Sequence, residues 1–234
     1  MDAPPRPRLK VCCIGSVAEA RAAVRLGADA LGLVGPMPSG PGVIPPGRIA
    51  HVARSVPPLV ATWLLTSSQD PDEIARQADA AGVSAVQVVD RVAPSAYARL
   101  REALPGRRIV QVVHVGADYG PGGAVAEAEA VAPHVDAVLL DSGDPGGAVK
   151  TLGGTGRVHD WAVSRAVRER LAVPVFLAGG LGPGNVAEAV RAVGPFGLDV
   201  CSGVRTGGAL DVARLAAFVA AARPSAPPPA TAPP

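Results

Sequence analysis

The chain of 234 residues has few of the sequence features that are typical of proteins that bind nucleic acids or membranes. Aromatic residues make up 3% of it, and its formal net charge is +2, with no long basic run. Nucleic-acid-binding proteins use basic patches and aromatic stacking platforms, so we expect no nucleic-acid partner. No apolar run is long enough to span a bilayer, and the amino-terminal MDAPPRPRLK lacks the apolar segment of a signal peptide. We therefore expect a cytoplasmic protein with no membrane partner.

Cysteine is also scarce. The three cysteines, Cys12, Cys13 and Cys201, are odd in number, and their spacing fits neither a disulfide framework nor a zinc site. No pair of the four histidines has the spacing of metal ligands. We therefore expect reduced thiols, either buried or reactive, and no metal site.

What the sequence does contain is a regular alternation of apolar strand segments and Ala-rich amphipathic helix segments. About eight such units follow one another, which is the pattern of a (β/α)₈ barrel. An open doubly wound sheet is the alternative, although no G-x-G-x-x-G follows the first strand. The predicted strands are Arg8–Ile14, Ala30–Val34, Leu59–Leu65, Ala85–Val89, Arg108–His114, Ala137–Asp141, Val173–Leu177 and Leu198–Val200.

The expected domain organisation follows from this alternation and from the composition of the two ends. We predict one α/β domain, a TIM barrel over residues 8–222. Residues 1–7 are Pro-rich and predict a flexible amino terminus, and the Pro/Ala-rich residues 223–234 predict a disordered tail. We expect His114 in the barrel core or at its rim, and the other three histidines, His51, His134 and His159, on the surface.

The stretch Ala137–Gly156, AVLLDSGDPGGAVKTLGGTG, places one carboxylate at the end of a buried strand. Parallel α/β proteins carry their chemistry at the carboxyl ends of their strands, which makes Asp141 a candidate catalytic residue. The alternative is that Asp141 caps a turn through its side-chain oxygen. The Gly-rich loop that follows contains Gly154 and Thr155, which are candidate substrate contacts.

Glycines at the ends of the last two predicted strands indicate a phosphate site. The chain has Gly179 and Gly180 after the seventh strand, and Ser202 and Gly203 after the eighth. In TIM barrels these two loops bind phosphate through backbone N–H groups, and the Ser202 hydroxyl adds a donor. The alternative is that both are tight turns without a ligand.

Several motifs taken together resemble phosphoribosylanthranilate isomerases. They are Lys10-Val11-Cys12, DAVLLDS ending at Ser142, the GGTG loop with Asp160-Trp161, LAGGL at Leu177–Leu181 with Asn185-Val186, and DVCSGV at Asp199–Val204. The resemblance covers Lys10 to about Phe218. It implies a (β/α)₈ barrel that rearranges N-(5-phosphoribosyl)anthranilate into the 1-deoxyribulose derivative in tryptophan biosynthesis, without a cofactor or metal.

The resemblance also implies which residues act. Cys12 corresponds to the general base and Asp141 to the general acid of an Amadori rearrangement, which needs one group on each side of the sugar. The thiol, with a reference pKa of ~8.5, must then be partly ionised, and the carboxyl, at ~3.9, partly protonated. Lys10 lies on the same strand face as Cys12 and either supplies a positive charge there or is an ordinary structural lysine. Cys13 is expected on the opposite face, as a small buried side chain.

The chain departs from the family pattern mainly at the end of the site that would hold the anthranilate. Cys13 replaces a glycine, Ser39–Gly42 lacks the usual arginine, Gln87–Asp90 lacks the usual histidine, and Arg205 replaces an acidic residue. One explanation is that Arg205 or Arg91 has taken over the contact with the substrate carboxylate. A second is that the barrel acts on a different phosphosugar, and a third is a non-catalytic phosphosugar-binding protein. The oligomeric state is left open between monomer and homodimer.

Overall fold

The computed structural model of the chain describes residues 6–38, 40–116, 120–143 and 159–223, and it forms a barrel of parallel strands. The strands are β1 (Arg8–Val11), β2 (Ala30–Val34), β3 (Ala61–Thr66), β4 (Ala85–Val88), β5 (Arg108–His114), β6 (Ala137–Asp141), β7 (Val175–Leu177) and β8 (Gly197–Val200). Each strand pairs in parallel with the next, and β8 pairs with β1. The predicted (β/α)₈ barrel is therefore confirmed.

Helices follow the strands and cover the outside of the barrel. They are α1 (Val17–Arg25), α2 (Pro46–Ser55), α3 (Pro71–Ala81), α4 (Pro94–Ala103), α5 (Gly120–Val131), α6 (Trp161–Arg170), α7 (Val186–Val193) and α8 (Val212–Ala222). Side-chain caps fix several of their first turns, as where Asp70 Oδ1 accepts a hydrogen bond from the Asp72 N–H at 3.0 Å. In the described part of the chain, no helix combines the length and the apolar character needed to cross a bilayer.

Several strand bounds differ by one or two residues from the sequence-based prediction, and two larger differences have a clear structural reason. The first strand ends at Val11 rather than Ile14, because Cys13 has a φ of +61°, in the left-handed region that strand residues do not adopt. The last helix begins at Val212, after a short hairpin that the sequence pattern did not predict. That hairpin pairs β9 (Arg205–Thr206) with β10 (Ala209–Leu210).

Strand residues alternate between two cores, since successive side chains point to opposite faces of a strand. Outward-facing aliphatic side chains pack against the helices in the larger core. Inside the barrel, the Trp63 and Phe176 rings pack edge to face with their centroids 5.0 Å apart. Gly197 faces the Phe176 ring so closely that a Cβ there would lie 2.4 Å from a ring carbon. The interior is thus filled by side chains, and TIM barrels bind their ligands at the carboxyl-terminal ends of the strands.

Candidate active site

A cavity lies at the carboxyl-terminal ends of the barrel strands. Its lining combines a thiol from the end of β1, a carboxylate from the end of β6 and the turns after β7 and β8. The lining residues include Cys12, Cys13, Val34, Met37, Gly40, Pro41, Gln87, Asp141, Gly179, Gly180, Asp199, Cys201 and Ser202. The structure thus brings five predicted site residues together, namely Cys12, Asp141, Gly179, Gly180 and Ser202.

Cys12 and Asp141 approach the cavity from different sides. Cys12 follows β1, its backbone N–H donates to the Val200 carbonyl at 2.8 Å, and its side chain is buried. Asp141 is the last residue of β6 and is half-buried, with Oδ1 accepting a hydrogen bond from the Ser142 N–H at 2.7 Å. Strands β1 and β6 are separated by β7 and β8 in the closed barrel. A molecule in the cavity can therefore meet the thiol and the carboxylate on different faces.

Lys10 is placed beneath this cavity rather than in its lining. Its side chain is fully buried, and Nζ donates to Asp199 Oδ2 at 2.9 Å and lies 5.4 Å from the centre of the Trp63 ring. Burial alone would lower the pKa of Lys10, but the Asp199 carboxylate and then the Cys12 sulfur raise it above its ordinary value. Lys10 therefore stays protonated and places a positive charge below Cys12.

The turns after β7 and β8 pack tightly against each other. Gly179 and Gly180 have φ angles of +79° and +61°, a conformation that favours glycine. A Cβ on Gly203 would lie 1.9 Å from the Leu181 carbonyl oxygen, so only glycine fits there. Within the described residues, the backbone N–H groups of Gly180, Ser202 and Gly203 have no recorded acceptor. The two turns therefore offer unpaired donors beside the cavity, although Gly203 is not itself part of the lining.

Arg205 does not reach the cavity. Its guanidinium donates to Glu19 Oε1 at 3.2 Å, to the Gly208 carbonyl at 2.9 Å and to the carbonyl oxygens of Cys12 and Cys13. Its charge is thereby already paired with a carboxylate, which does not support the expectation that Arg205 contacts the substrate. The other two predicted contacts, Gly154 and Thr155, lie outside the described residues.

Cys13 differs most from its predicted position. It was expected to point away from Cys12, but its left-handed backbone turns the side chain back toward the cavity. There its Sγ lies 2.6 Å from the Cys201 Sγ and 3.5 Å from the Pro41 carbonyl oxygen. The alternation rule fails because it applies only within a strand, and β1 has already ended.

Two further polar residues of the cavity were missed by sequence reasoning. Gln87 on β4 and Asp199 on β8 are buried, and Gln87 Oε1 and Asp199 Oδ1 have no hydrogen-bond partner within the described ranges. Buried acceptors of this kind are normally satisfied by a partner or ligand. The available signal was that both interrupt apolar strand segments, QVVD and DVCSGV.

The histidines are mostly structural. His114 was expected in the barrel core or at its rim. It is buried, and its Nε2 lies 3.0 Å from the Val89 carbonyl oxygen. His159 was expected on the surface but is half-buried, with Nε2 2.7 Å from Ser164 Oγ. Burial lowers the pKa of His159 to about 4, although Asp160 opposes the shift. Among the residues the structure describes, no group of three or more His, Cys, Asp or Glu side chains is arranged to hold a metal ion.

Comparisons with known proteins agree with this arrangement. A family model described as N-(5'phosphoribosyl)anthranilate (PRA) isomerase matches residues 9–221. An N-(5'-phosphoribosyl)anthranilate isomerase of Natronomonas pharaonis is 40% identical over 217 residues, covering 92% of this chain and 97% of the relative.

Solved structures show the same likeness. A phosphoribosyl anthranilate isomerase from Thermococcus kodakaraensis superposes with a TM-score of 0.78 at 29% identity, covering 94% of this chain and all of the other. Another phosphoribosyl anthranilate isomerase, solved with reduced 1-(o-carboxyphenylamino)-1-deoxyribulose 5-phosphate, gives a TM-score of 0.75 at 26% identity, covering 92% of this chain and 98% of that one. With a family match along nearly the whole barrel and a relative this similar, the chain belongs to the phosphoribosylanthranilate isomerase family.

Proposed function

We propose that this protein isomerises N-(5'-phosphoribosyl)anthranilate to 1-(o-carboxyphenylamino)-1-deoxyribulose 5-phosphate, a step of tryptophan biosynthesis. The observation that carries the proposal is one cavity with the Cys12 thiol and the Asp141 carboxyl at the ends of two strands, β1 and β6, that are separated by two others around the barrel. Family membership, and the names of the relatives, supply the substrate.

The two groups divide the proton transfers between them. Asp141 gives its proton to the ribose ring oxygen as the bond from that oxygen to C1 breaks, leaving a protonated imine between C1 and the anthranilate nitrogen. The Cys12 thiolate then removes the proton from C2, which yields an enolamine that tautomerises to the ketone. General acid and base catalysis of this kind contributes about 10²–10⁴-fold per group.

The phosphate would be held by the turns after β7 and β8. The Gly180, Ser202 and Gly203 N–H groups and the Ser202 hydroxyl are donors suited to an anion. Packing also requires glycine at position 179, because a Cβ there would lie 2.8 Å from His159 Nδ1 and 3.0 Å from the Ser142 backbone nitrogen.

The sugar hydroxyls would be oriented by the acceptors at the bottom of the cavity. Asp199 Oδ1 and Gln87 Oε1 can each accept a hydrogen bond from a ribose hydroxyl. The second Asp199 oxygen is fixed by Lys10, which sets the direction of the free one. Lys10 thus acts as a positioning residue and as the positive charge nearest below the Cys12 thiolate, while Arg205 holds the carbonyls at the end of β1.

Turnover of freshly generated N-(5'-phosphoribosyl)anthranilate, followed by loss of its fluorescence, tests this function. Cys12→Ser and Asp141→Asn should each lower kcat by about 10²-fold or more. Affinity for reduced 1-(o-carboxyphenylamino)-1-deoxyribulose 5-phosphate should stay nearly intact, because the phosphate turns are unchanged. Arg165→Ala, an exposed change on α6, is the matched control and should turn over like the wild type.

The test separates the alternatives. Binding of the product analogue without turnover by the folded wild type would favour a phosphosugar-binding protein. Neither binding nor turnover would favour another phosphosugar as substrate. Full activity of either variant would remove that residue from the mechanism.

We further propose that the protein works in the cytoplasm as a monomer or homodimer. One solved relative is described as monomers generated from the dimeric isomerase of Thermotoga maritima, so both states are possible for a barrel of this type. Sedimentation velocity at several concentrations distinguishes them, and a larger assembly would contradict the proposal.

A further inference from the structure

Two thiols from opposite ends of the sequence meet at the mouth of the cavity. Cys13 and Cys201 are 188 residues apart in the chain, yet their Sγ atoms are 2.6 Å apart. Their backbones are neighbours because Cys13 follows β1 and Cys201 follows β8, and these strands pair to close the barrel. Both cysteines are free thiols in the structure, and Cys12 lies beside them.

This geometry is close to that of a disulfide. The S–S bond of a disulfide is about 2.05 Å long, and the Cys13 and Cys201 sulfur atoms are 2.6 Å apart. The two sulfur atoms need to approach by only a fraction of an ångström. A bond between them therefore requires no rearrangement of the barrel.

The backbone at Cys13 suits glycine better than cysteine. A φ of +61° is a conformation that favours glycine, and for another residue it costs roughly 1–2 kcal/mol. Space is also limited, since a Cβ on Gly42 would lie 2.5 Å from the Cys13 Cβ. Glycine would satisfy both constraints, so packing alone does not account for a cysteine here.

The surroundings give the two thiols different reactivities. The pKa of Cys201 is lowered by the hydrogen bond with Cys13 and by the nearby Arg205 guanidinium, against the effect of burial. The pKa of Cys13 is raised by its contacts with Cys12 and Cys201 and by burial. Cys201 is also the more exposed of the two, which makes it the attacking thiolate and Cys13 the resolving thiol.

We propose that Cys13 and Cys201 form a redox-active dithiol at the mouth of the active site, which small-molecule disulfides oxidise reversibly to an intramolecular disulfide that slows turnover. The Cys201 thiolate attacks one sulfur of the small disulfide, forming a mixed disulfide and releasing one small thiolate. The Cys13 thiolate then attacks the Cys201 sulfur and releases the second. Two protein S–H bonds and one small disulfide are exchanged for one protein disulfide and two small thiols, so the protein loses two electrons and two protons.

Oxidation would change the site next to Cys12. The disulfide ties the end of β1 to the turn that carries Ser202, and it removes the Cys13 proton from the contact with the Pro41 carbonyl in the cavity wall. Since displacements of about 1 Å in an active site cost up to about 10²-fold, we expect turnover to fall about tenfold. This consequence rests on the proposed function, whereas the disulfide itself does not.

The full-length protein is equilibrated with mixtures of oxidised and reduced glutathione, then alkylated and measured three ways. Free thiols should fall from three to one, the intact mass of an acid-quenched sample taken before alkylation should fall by two hydrogen atoms, and a peptide containing Cys201 should be linked to the one containing Cys12 and Cys13. Turnover should fall with the same midpoint and recover with dithiothreitol.

Three variants identify the partners. Cys13→Gly fits the backbone, so it should keep basal turnover within about twofold of the wild type and lose both the cross-link and the redox response. Cys13→Ser should likewise form no cross-link. Cys12→Ser should still form it, because Cys12 is not part of the pair.

The outcomes are distinct. No cross-link in the wild type, or one that needs Cys12, would overturn the dithiol, and a cross-link without a change in turnover would overturn its effect on the active site. If the wild type has no isomerase activity at all, the thiol count and peptide map still decide whether the disulfide forms, and product-analogue binding replaces turnover as the second measurement.

Discussion

The pair of Lys10 and Asp199 is the most constrained feature at the scale of single residues. Both side chains are buried inside the barrel, where a lone charge costs several kcal/mol. Gly32 on the neighbouring strand makes room for the pair, because a Cβ there would lie 3.0 Å from Lys10 Nζ and 2.8 Å from Cys12 Sγ. The ion pair and the candidate base are therefore packed as one unit around a glycine.

Removing one member of this pair should destabilise the protein strongly. Lys10→Met leaves the Asp199 carboxylate buried without its partner, and we expect a loss of about 3–5 kcal/mol in the free energy of unfolding. Urea unfolding at neutral pH measures it. The control is Arg165→Ala, which breaks an exposed pair with Glu169 and should cost less than about 1 kcal/mol.

The double variant Lys10→Met, Asp199→Leu provides a second check. It removes both charges and should recover most of the stability lost by Lys10→Met alone. If the double variant were no more stable than the single one, the loss would reflect packing around Lys10 rather than an unpaired charge.

At the scale of elements, Glu19 on α1 connects three segments around the end of β1. Ser16 is the N-cap of α1, and its Oγ accepts a hydrogen bond from the Glu19 N–H at 3.2 Å. The Glu19 carboxylate, however, accepts from the Gly15 N–H at 2.8 Å, the Leu210 N–H at 2.9 Å and the Arg205 guanidinium. It thereby joins the first helix to the hairpin before the last one.

Glu19→Ala should therefore cost more than an ordinary surface change. It leaves two backbone donors and Arg205 without their charged acceptor, and we expect a loss of about 2–3 kcal/mol in urea unfolding. Glu188→Ala, an exposed acidic residue in the first turn of α7, is the matched control and should cost less than about 1 kcal/mol. Equal effects of the two changes would mean that the junction is not held by Glu19.

The same contacts lower the pKa of Glu19 against the opposing effect of burial. A lowered folded pKa gives stability that is present above the unfolded value and lost as the pH falls through the folded one. The difference between wild type and Glu19→Ala should accordingly shrink in acid.

What the sequence could predict at this scale was the local pattern. The strands over Ala30–Val34 and Arg108–His114 have the predicted bounds, because apolar runs between turn residues are local signals. The hairpin over residues 205–210 was missed, since two-residue strands carry no periodicity. The left-handed Cys13 was missed because nothing in the letters Cys-Cys shows where the strand ends.

The site was predictable where residues stand at strand ends, and not where contacts cross the barrel. Cys12, Asp141 and Ser202 were found by their position after apolar segments and by the family resemblance. The contacts of Lys10 with Asp199 and of Cys13 with Cys201 depend on the register of β1 against β8. That register exists only once the whole barrel closes, so no local pattern encodes it.

At the scale of the whole molecule, contacts at the amino-terminal face of the barrel hold its two chain ends together, and the cavity lies at the carboxyl-terminal face. On the amino-terminal face, Arg223 at the end of α8 donates to the Pro7 carbonyl at 3.1 Å and the Gly27 carbonyl at 2.9 Å and pairs with Asp29. These contacts join the last helix to the segments around β1 and β2. These contacts on the face opposite the cavity add to those of Glu19 and Arg205 at the end of β1, so both faces contribute to closing the barrel.

The free energy of unfolding of the whole molecule should depend on pH, because His114 and His159 have lowered pKa values in the folded protein. Burial lowers the pKa of His159 to about 4 and also lowers the pKa of His114, whereas both regain an ordinary value near 6.5 on unfolding. Between these values the unfolded chain binds more protons than the folded one, so the free energy of unfolding rises with pH.

For His159 alone, lowering the pH from 7 to 4 should remove up to roughly 3 kcal/mol of stability. His159→Gln cannot titrate, so its unfolding free energy should fall less steeply between pH 6.5 and 4. His51→Gln changes an exposed histidine on α2 and should follow the wild type. Parallel curves for wild type and His159→Gln would mean that His159 is protonated as readily in the barrel as in water, and that the contact with Ser164 does not keep it neutral.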